Sequence, residues 1–198
     1  MNTRSPVDLE LTPRQGELAD AALAVLARSG ITALSFRVVA TEARCSVGAV
    51  QKAFPTKEKM IIAAFTRLRH SAVPLPPGEP GRPTLQHWLV EFALCVLPLD
   101  APRAAAQRQG DALGDYAANN PMIADAIASS DDHLRTLLSR LITRANHEGE
   151  LPGNPDPDPT AWALLAVIQG AAAQLRYQPR TDADLRRLLD HAFQRLLD

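Results

Sequence analysis

The sequence is poor in cysteine and in aromatic residues. Among its 198 residues there are two cysteines, and Phe, Trp and Tyr together make up 5%. Cys45 and Cys95 lie far apart and form no CxxC pair, so the usual cysteine-based zinc and thiol-redox motifs are absent. Because no export signal precedes them, two separate cysteines favour a reducing, cytoplasmic location.

Long apolar runs and a large net charge of either sign are also missing. No run approaches the roughly 20 apolar residues that a membrane-spanning helix needs, and residues 1–11 lack the apolar core of a signal peptide. We therefore expect no contact with a membrane. The formal net charge of −1 excludes a histone-like protein that binds nucleic acid through a global positive field.

Motifs for catalysis and cofactor binding are absent as well. There is no Gly-rich phosphate loop and no GxSxG sequence. His87 and Glu91 are spaced to share a helix face, but without a third ligand we interpret them as a surface pair, not as a metal site. His147 and Glu148 lack the second histidine of an HExxH motif. We expect no catalytic residue, no metal and no cofactor.

What the sequence does contain is a series of helix signals, the first of them near the N-terminus. Thr12 is placed to cap a helix, Pro13 suits its first position, and Gln15 can complete a capping box. Gly30 stands where the helix would end. The apolar stripe between these signals consists of Leu18, Ala22, Val25 and Leu26.

Two short helices follow, separated by a tight turn. Ser35 can cap the first, which runs to about Ala43, and Ser46 can cap the second, predicted over Val47 to about Ala53. Two short helices joined by so few residues are typical of a helix-turn-helix, in which the second helix reads DNA.

Several segments of this region together resemble the DNA-binding domain of the TetR/AcrR family. The resemblance covers nearly the whole N-terminal quarter, and its anchors occur in order and at the family's spacing. They are Ile31-Thr32-Ala33-Leu34-Ser35, Val39-Ala40, Ser46-Val47-Gly48-Ala49-Val50 and Phe54-Pro55-Thr56-Lys57-Glu58.

Three positions depart from the family pattern. Arg44, Gln51 and Ala53 stand where the family usually has Gly in the turn, Tyr in the recognition helix and His before the Phe. Gln51 can still bond a phosphate or an adenine edge, so we expect an altered operator. The alternative is a helical interaction protein that has lost specific DNA binding.

The predicted DNA-contacting residues cluster around the recognition helix. Residues 1–60 hold eight Lys and Arg against six Asp and Glu, and the remainder holds thirteen against sixteen, so the slight basic excess lies in this region. A loose arm at residues 1–11, including Arg4, is expected to touch DNA. The candidate contacts are Arg37, Ser46, Val47, Ala49, Gln51, Lys52 and Lys57; a solvated helix face is the alternative.

The rest of the chain predicts further helices and no strand. Thr56 can cap a fourth helix to about Ser71, which is expected to be the mechanical link, and Pro74–Pro83 predicts an exposed loop. Later helices are predicted over about 84–97, 101–118 and 120–147, then from Asp158-Pro159 and from Thr181. We thus predict an all-α protein with a DNA-binding domain at 1–55 and a helical effector-binding and dimerisation domain at 56–198.

Asp111–Asp132 and Arg144–Leu151 resemble the C-terminal domain of BetI-type members. The TetR/AcrR resemblance implies a pocket for a small organic effector inside the helical body. Taken singly, each aromatic residue there is more often plain core than part of a binding site. The candidate effector-binding residues are Trp88, Phe92, Cys95, Gln107, Asp111, Tyr116, Trp162 and Gln169.

The last two helices carry wide apolar stripes, and Gly170–Ala173 offers small side chains that permit close approach. The resemblance implies a homodimer through these helices, which would place two recognition helices one DNA turn apart on a near-palindromic operator. The alternative is that both stripes serve the core of one chain. The resemblance thus implies a cytoplasmic transcriptional regulator, expected to be a repressor that a small molecule releases from its double-stranded DNA operator.

Overall fold

The computed structural model describes residues 10–72 and 76–198. Within these ranges the regular structure is entirely helical, as the sequence predicts. The predicted N-terminal arm, except for Glu10 and Leu11, lies outside the described residues, as do Pro74 and Leu75 of the proline-rich loop. The helices are α1 (Pro13–Ser29), α2 (Phe36–Glu42), α3 (Val47–Ala53), α4 (Lys57–Ala72), α5 (Leu85–Val96), α6 (Ala101–Ala117), α7 (Pro121–His147), α8 (Pro157–Leu175) and α9 (Asp182–Leu197).

Most helices begin at the predicted caps. At α1, the Thr12 hydroxyl accepts from the Gln15 amide at 3.3 Å, and the Gln15 side-chain oxygen accepts from the Thr12 amide at 3.0 Å. This is the predicted capping box, and such a cap contributes about 1 kcal/mol. Gly30 ends α1 with a φ of 74°. The predicted caps Ser35, Ser46 and Thr56 are also confirmed. Thr84 and Thr181, which the sequence predicted as helix starts, are the N-caps of α5 and α9.

Two details differ from the prediction. Helix α8 begins at Pro157, one residue before the predicted start at Asp158-Pro159, because Asp156 is the N-cap and accepts from the Asp158 amide at 3.4 Å. Both Asp-Pro pairs carry the same helix-start signal, and the upstream one forms the cap. A short 3₁₀ turn at Ile31–Ala33 also precedes α2, which the sequence pattern did not predict.

One compact unit comprises the described residues up to Ala72 together with Ala105–Ser130. Its core is formed by α1 to α4 with parts of α6 and α7, and α1 packs along α4. Met60 and Ile61 of α4 are fully buried in it. This unit extends beyond the predicted domain border after residue 55, because α4 buries its apolar face in the same core as the first three helices.

The second compact unit comprises the described residues 76–104 and Asp131–Asp198. It contains α5, the second part of α7, α8 and α9, and α5 packs closely against α9. Trp88 and Phe193 are the largest of the fully buried side chains in its core.

Candidate nucleic-acid interface and effector region

Helices α2 and α3 form the predicted helix-turn-helix. Four residues connect them, and the two helices pack against each other and against α1. The side chains that hold them are almost fully buried: Val39 and Ala40 on α2, Val50 on α3, and Phe54 directly after it. Val50 thus turns one face of α3 towards the core, and the opposite face of α3 is exposed.

The turn between the two helices has the hydrogen bonds of a Schellman motif. The Cys45 amide donates to the Ala40 carbonyl at 2.9 Å, and the Arg44 amide donates to the Thr41 carbonyl at 3.2 Å. Arg44 adopts a φ of 50°. Cys45 is half-buried and packs against the core, as expected for a small hydrophobe.

Most of the predicted DNA contacts lie on the exposed side of this module. Ala49 and Lys57 are half-buried, whereas Val47 leaves 37% of its surface exposed. Ser46 uses its oxygen to accept from the Ala49 amide at 3.2 Å, which leaves its hydroxyl proton available to a phosphate. The exposed candidates are Arg37, Ser46, Val47, Gln51 and Lys52.

The charges of this unit separate into two groups. Three arginines are neutralised by carboxylates: Arg14 by Glu17 at 2.7 Å, Arg28 by Glu42 at 2.7 Å, and Arg67 by Asp20 at 2.8 Å. Within the described part of the chain, Arg37, Arg44 and Lys52 have no carboxylate within ion-pair distance. Unpaired cations next to an exposed recognition helix are the arrangement that attracts phosphate.

Lys57 makes a contact that the sequence did not predict. Its ammonium lies 5.9 Å from the ring centroid of Tyr116 on α6, within the range of a cation–π interaction. A predicted DNA contact and a predicted effector residue therefore touch each other within the first unit.

Gln15 also has a second role beyond its cap. Its side-chain amide donates to the Ala53 carbonyl at 3.1 Å, across 38 residues. This bond satisfies one of the free carbonyls at the end of α3. It ties the recognition helix to the start of α1, and its only sequence signal is the capping-box glutamine.

The predicted effector residues divide between the two units. Trp88 and Phe92 stack with their ring centroids 5.2 Å apart in the core of the second unit, and the Trp88 indole nitrogen is buried without a hydrogen-bond partner among the described residues. Cys95, one helix turn further on, is half-buried, and this burial raises the pKa of its thiol.

The other predicted effector residues lie elsewhere. Gln107 and Asp111 bond to each other at 2.9 Å on α6 of the first unit, where Tyr116 also lies. The prediction put Trp162 and Gln169 inside the helical body. In the structure Trp162 is 62% exposed and Gln169 is also exposed, so both side chains lie on the surface of their own unit. The apolar stripe of α8 buries Leu165, Ile168 and Ala172 instead, and helix periodicity could not tell that Trp162 stands at its outer edge.

Helices α8 and α9 border an open apolar groove of about 480 Å³ on the second unit. On α9, Leu188 is 46% exposed. On α8, a Cβ added to Gly170 would meet no atom within 4 Å, so packing within the chain does not require a glycine there. The groove is lined mainly by small and apolar side chains, including Ala166, Val167, Ala171, Leu185 and Ala192.

Glu91, one member of the predicted surface pair His87 and Glu91 on α5, is bonded to another helix. Glu91 accepts hydrogen bonds from Arg186 of α9, and this interaction lowers the pKa of the Glu91 carboxyl. The described residues contain no cluster of three potential metal ligands. None of their helices is both long and apolar enough to cross a bilayer.

Comparison with known protein families finds one match in the N-terminal part of the chain and another in the C-terminal part. Residues 18–64 match the model for bacterial regulatory proteins of the tetR family, and residues 85–198 match the model for the C-terminal region of BetI-type transcriptional repressors.

A similar curated protein is the nicotine-responsive transcriptional repressor HdnoR of Paenarthrobacter nicotinovorans. It is 25% identical, and the match covers 93% of this chain and 94% of HdnoR. A transcriptional regulator from Rhodococcus sp. Rha1 is similar in structure, with a TM-score of 0.73, 28% identity and coverage of 94% and 96%. The multidrug binding protein EbrR, complexed with ethidium, shares the fold at 23% identity, with a TM-score of 0.67 and coverage of 93% and 99%.

Proposed function

The chain belongs to the TetR family of bacterial regulatory proteins, and we propose that it represses transcription as a homodimer on a near-palindromic DNA operator. A small organic effector releases it, and it acts in the cytoplasm, where that DNA lies. The observation that carries the proposal is the recognition helix α3, whose exposed face is flanked by unpaired cations. HdnoR, a curated relative that matches along nearly the whole chain, is a repressor.

DNA recognition divides between two kinds of contact. Gln51 has both an acceptor and a donor for a base edge, and Val47 offers methyl groups to thymine. Lys52 and Arg37 supply attraction to phosphates, which carries no sequence information but is sensitive to salt. The Ser46 cap, with its hydroxyl proton, adds a neutral phosphate contact at the start of α3.

The homodimer is supported by the surface of α8 and α9. Trp162 and Leu188 are large apolar side chains exposed on these helices, and Gly170 leaves open space beside the groove. A second copy that packs against this face would bury apolar surface, which stabilises the dimer by about 25 cal/mol per Å². The absence of a side chain at Gly170 would allow the two copies to approach closely. A C2 dimer presents two recognition helices to two half-sites.

The effector is proposed to bind near Trp88, Phe92 and Cys95. The stacked aromatic pair favours a flat apolar molecule. The buried indole N–H of Trp88 lacks a partner, and an unmade hydrogen bond of this kind costs about 1–3 kcal/mol. An effector with a hydrogen-bond acceptor would recover this cost, so we expect a planar apolar compound that carries at least one acceptor.

DNA binding is tested by selection of bound sequences from random duplex DNA. We expect a near-palindromic motif, and titration of the selected duplex at two salt concentrations should give a steep salt dependence. Weak binding without any motif would contradict the proposal and favour a helical interaction protein.

Two variants then locate the contacts. Gln51→Ala should relax the sequence preference, with a loss of about 1–3 kcal/mol on the selected site. Lys52→Ala should weaken all duplexes alike and reduce the salt slope. Combined in one protein, they should abolish specific binding while the dimer remains intact; unchanged binding would mean that α3 is not the reading element.

Release by an effector is tested with Trp162→Phe, which leaves Trp88 as the only tryptophan. Planar apolar compounds are screened for dissociation of the complex with the selected duplex. A compound that dissociates the complex should also change the emission of Trp88. Release without any change in emission would place the effector site away from Trp88.

A further inference from the structure

A short segment directly before α5 lies against the second unit without being part of its core. This strap (residues 79–84) has no regular secondary structure. It contributes no side chain to the apolar cluster of the unit, whereas two other connecting segments contribute Leu97 and Leu151. The strap is therefore held in place by something other than the burial of apolar side chains.

Polar bonds to the end of α7 hold the strap. The Arg144 guanidinium donates to the Pro80 carbonyl at 2.8 Å and to the Glu79 carboxylate at 3.1 Å. Arg82 of the strap donates to Glu148 at 2.8 Å. The side chains of Glu79 and Arg82 are 65% and 40% exposed, and ion pairs with exposed partners are weak. The strap is thus bound more loosely than the helices that it touches.

Gly81 allows the Arg144 guanidinium to lie close against the strap. This glycine is buried and has a φ of 77°. A Cβ added to it would lie 2.3 Å from Nη2 of Arg144, so any larger residue would displace the guanidinium. One arginine placed over one glycine therefore fastens the middle of the strap.

The end of the strap next to α5 is fixed by separate bonds. Thr84 caps α5 by accepting from the His87 amide at 3.2 Å, and the Leu85 amide donates to Glu150 at 2.5 Å. Neither bond involves Arg144. When the bonds of Arg144 break, the strap can therefore move away while the first turn of α5 stays in place.

The proposed effector site next to this turn is closed. Trp88 and Phe92 are 1% and 2% exposed, so no molecule reaches their stacked rings unless part of the unit moves. Side chains of an α-helix tilt towards its N-terminus, which brings the Trp88 indole towards the first turn of α5 and the strap. A helix that moved aside would expose apolar core to water, whereas release of the strap breaks mainly polar bonds, which water replaces.

We propose that the strap is the gate of the effector site and that Arg144 keeps it closed. The gate rests on the proposed function, because it regulates entry to the effector site named there. When the strap opens, solvent reaches Trp88 and its indole N–H, which has no partner among the described residues. Salt screens the ion pairs of the strap and makes opening more frequent.

The test follows the indole N–H of Trp88 in the full chain that carries Trp162→Phe, where it is the only indole. Its exchange with deuterated water, measured by NMR, reports how often the site opens. In this background Arg144→Gln removes the bonds to Glu79 and Pro80. Exchange should then become about five-fold to fifty-fold faster.

A second variant opens the strap without a change of charge. Gly81→Ala displaces the guanidinium of Arg144 and should also accelerate exchange. Salt gives a further check, because a rise from about 0.1 M to 1 M shortens the screening length from about 10 Å to 3 Å. This rise should accelerate exchange more in the protein with Arg144 than in Arg144→Gln.

The matched control is Arg103→Gln in the same background. Arg103 also bonds a carboxylate and a backbone carbonyl of the second unit, those of Asp100 and Leu94. Its side chain is 27% exposed, against 29% for Arg144, but it lies near the opposite end of α5. Exchange of the Trp88 indole should change little in this variant, and an acceleration equal to that of Arg144→Gln would contradict the gate.

Urea separates the opening of the strap from unfolding of the whole unit. Release of the strap exposes little surface, so exchange in Arg144→Gln should hardly depend on urea below the unfolding transition. A dependence as steep as that of global unfolding would overturn the gate, and so would exchange that is unchanged in Arg144→Gln. Neither result depends on DNA. A wild-type protein that selects no DNA motif refutes the proposed function, whereas a selected motif with unchanged Trp88 exchange in Arg144→Gln refutes the gate alone.

Discussion

The side-chain amide of Gln15 donates a hydrogen bond of 3.1 Å to the carbonyl oxygen of Ala53. The same side chain accepts from the amide of Thr12 and completes the cap of α1. One residue thus closes the start of the first helix and holds the end of the recognition helix. The direction of α3 is therefore tied to a helix that also packs along α4.

Gln15→Glu should separate these two roles. The carboxylate can still accept from Thr12 but cannot donate to Ala53, so the variant should lose about 1 kcal/mol in the free energy of unfolding and bind DNA several-fold more weakly. Denaturant unfolding and titration of the selected duplex measure the two effects. The matched control is Thr12→Ala, which removes the cap but leaves the bond to Ala53. If this control weakens DNA binding as much as Gln15→Glu, the bond to Ala53 has no separate role in positioning α3.

The contact between Lys57 and Tyr116 should influence DNA binding from the α6 side. Tyr116→Leu removes the ring beneath the ammonium, an interaction worth about 0.5–1 kcal/mol at such a site, so Lys57 is less well positioned and operator affinity should fall two-fold to five-fold. Tyr116→Phe keeps the ring and should bind like the wild type. Titrations of the two variants on the same duplex compare them directly. Equal affinities would show that the contact between Lys57 and Tyr116 does not influence DNA binding.

Gly170→Arg should disrupt the proposed dimer without harm to the helix. Arginine favours a helix over glycine by roughly 0.7–1 kcal/mol, and among the described residues no atom outside the adjacent helix backbone lies within 4 Å of the added Cβ. A charged side chain in an apolar interface, by contrast, opposes association. Analytical ultracentrifugation should find a dimer for the wild type and a folded monomer for the variant.

The control for this experiment is Gly114→Arg, a substitution at an exposed helical glycine of α6 that also has open space around it. It should leave the dimer intact. A Gly170→Arg protein that remains dimeric would place the interface elsewhere and return the apolar stripes of α8 and α9 to the core of one chain.

A low pH should weaken the ion pair between Glu91 of α5 and Arg186 of α9. The hydrogen bond from Arg186 lowers the pKa of Glu91, so the pair stabilises the fold above the ordinary glutamate value near 4.3. This stabilisation is lost as the pH falls through the depressed pKa of the folded state. Because the pair is partly exposed, its contribution is at most about 1 kcal/mol.

The measurement is the free energy of unfolding of the wild type and of Glu91→Gln between pH 7 and pH 3. The wild type should be the more stable of the two at neutral pH, and the difference should shrink below about pH 4.3. A difference that does not change with pH would mean that the Glu91 charge contributes nothing to stability.

Local signals account for what could be read directly from the amino-acid order. The caps at Thr12, Ser35, Ser46, Thr84 and Thr181 depend on bonds between residues three positions apart, so the helix starts and the helix-turn-helix spacing follow from short segments. The same locality explains the error at α8. Asp156-Pro157 and Asp158-Pro159 satisfy the same local rule, and choosing between them needs the bonds of the folded chain.

The sequence by itself determined the helical class, the positions of the helices, the recognition helix and the family resemblance, because these depend on neighbours within a few residues or on motif spacing. Only the tertiary structure decided that Trp162 is exposed while Trp88 is buried, that Gln15 reaches Ala53, that Lys57 lies over Tyr116, and that Arg44 adopts a positive φ. Each of these depends on which distant segments come together, and on what they leave uncovered. Helix periodicity specifies an apolar face, but it does not specify the surface that will cover it.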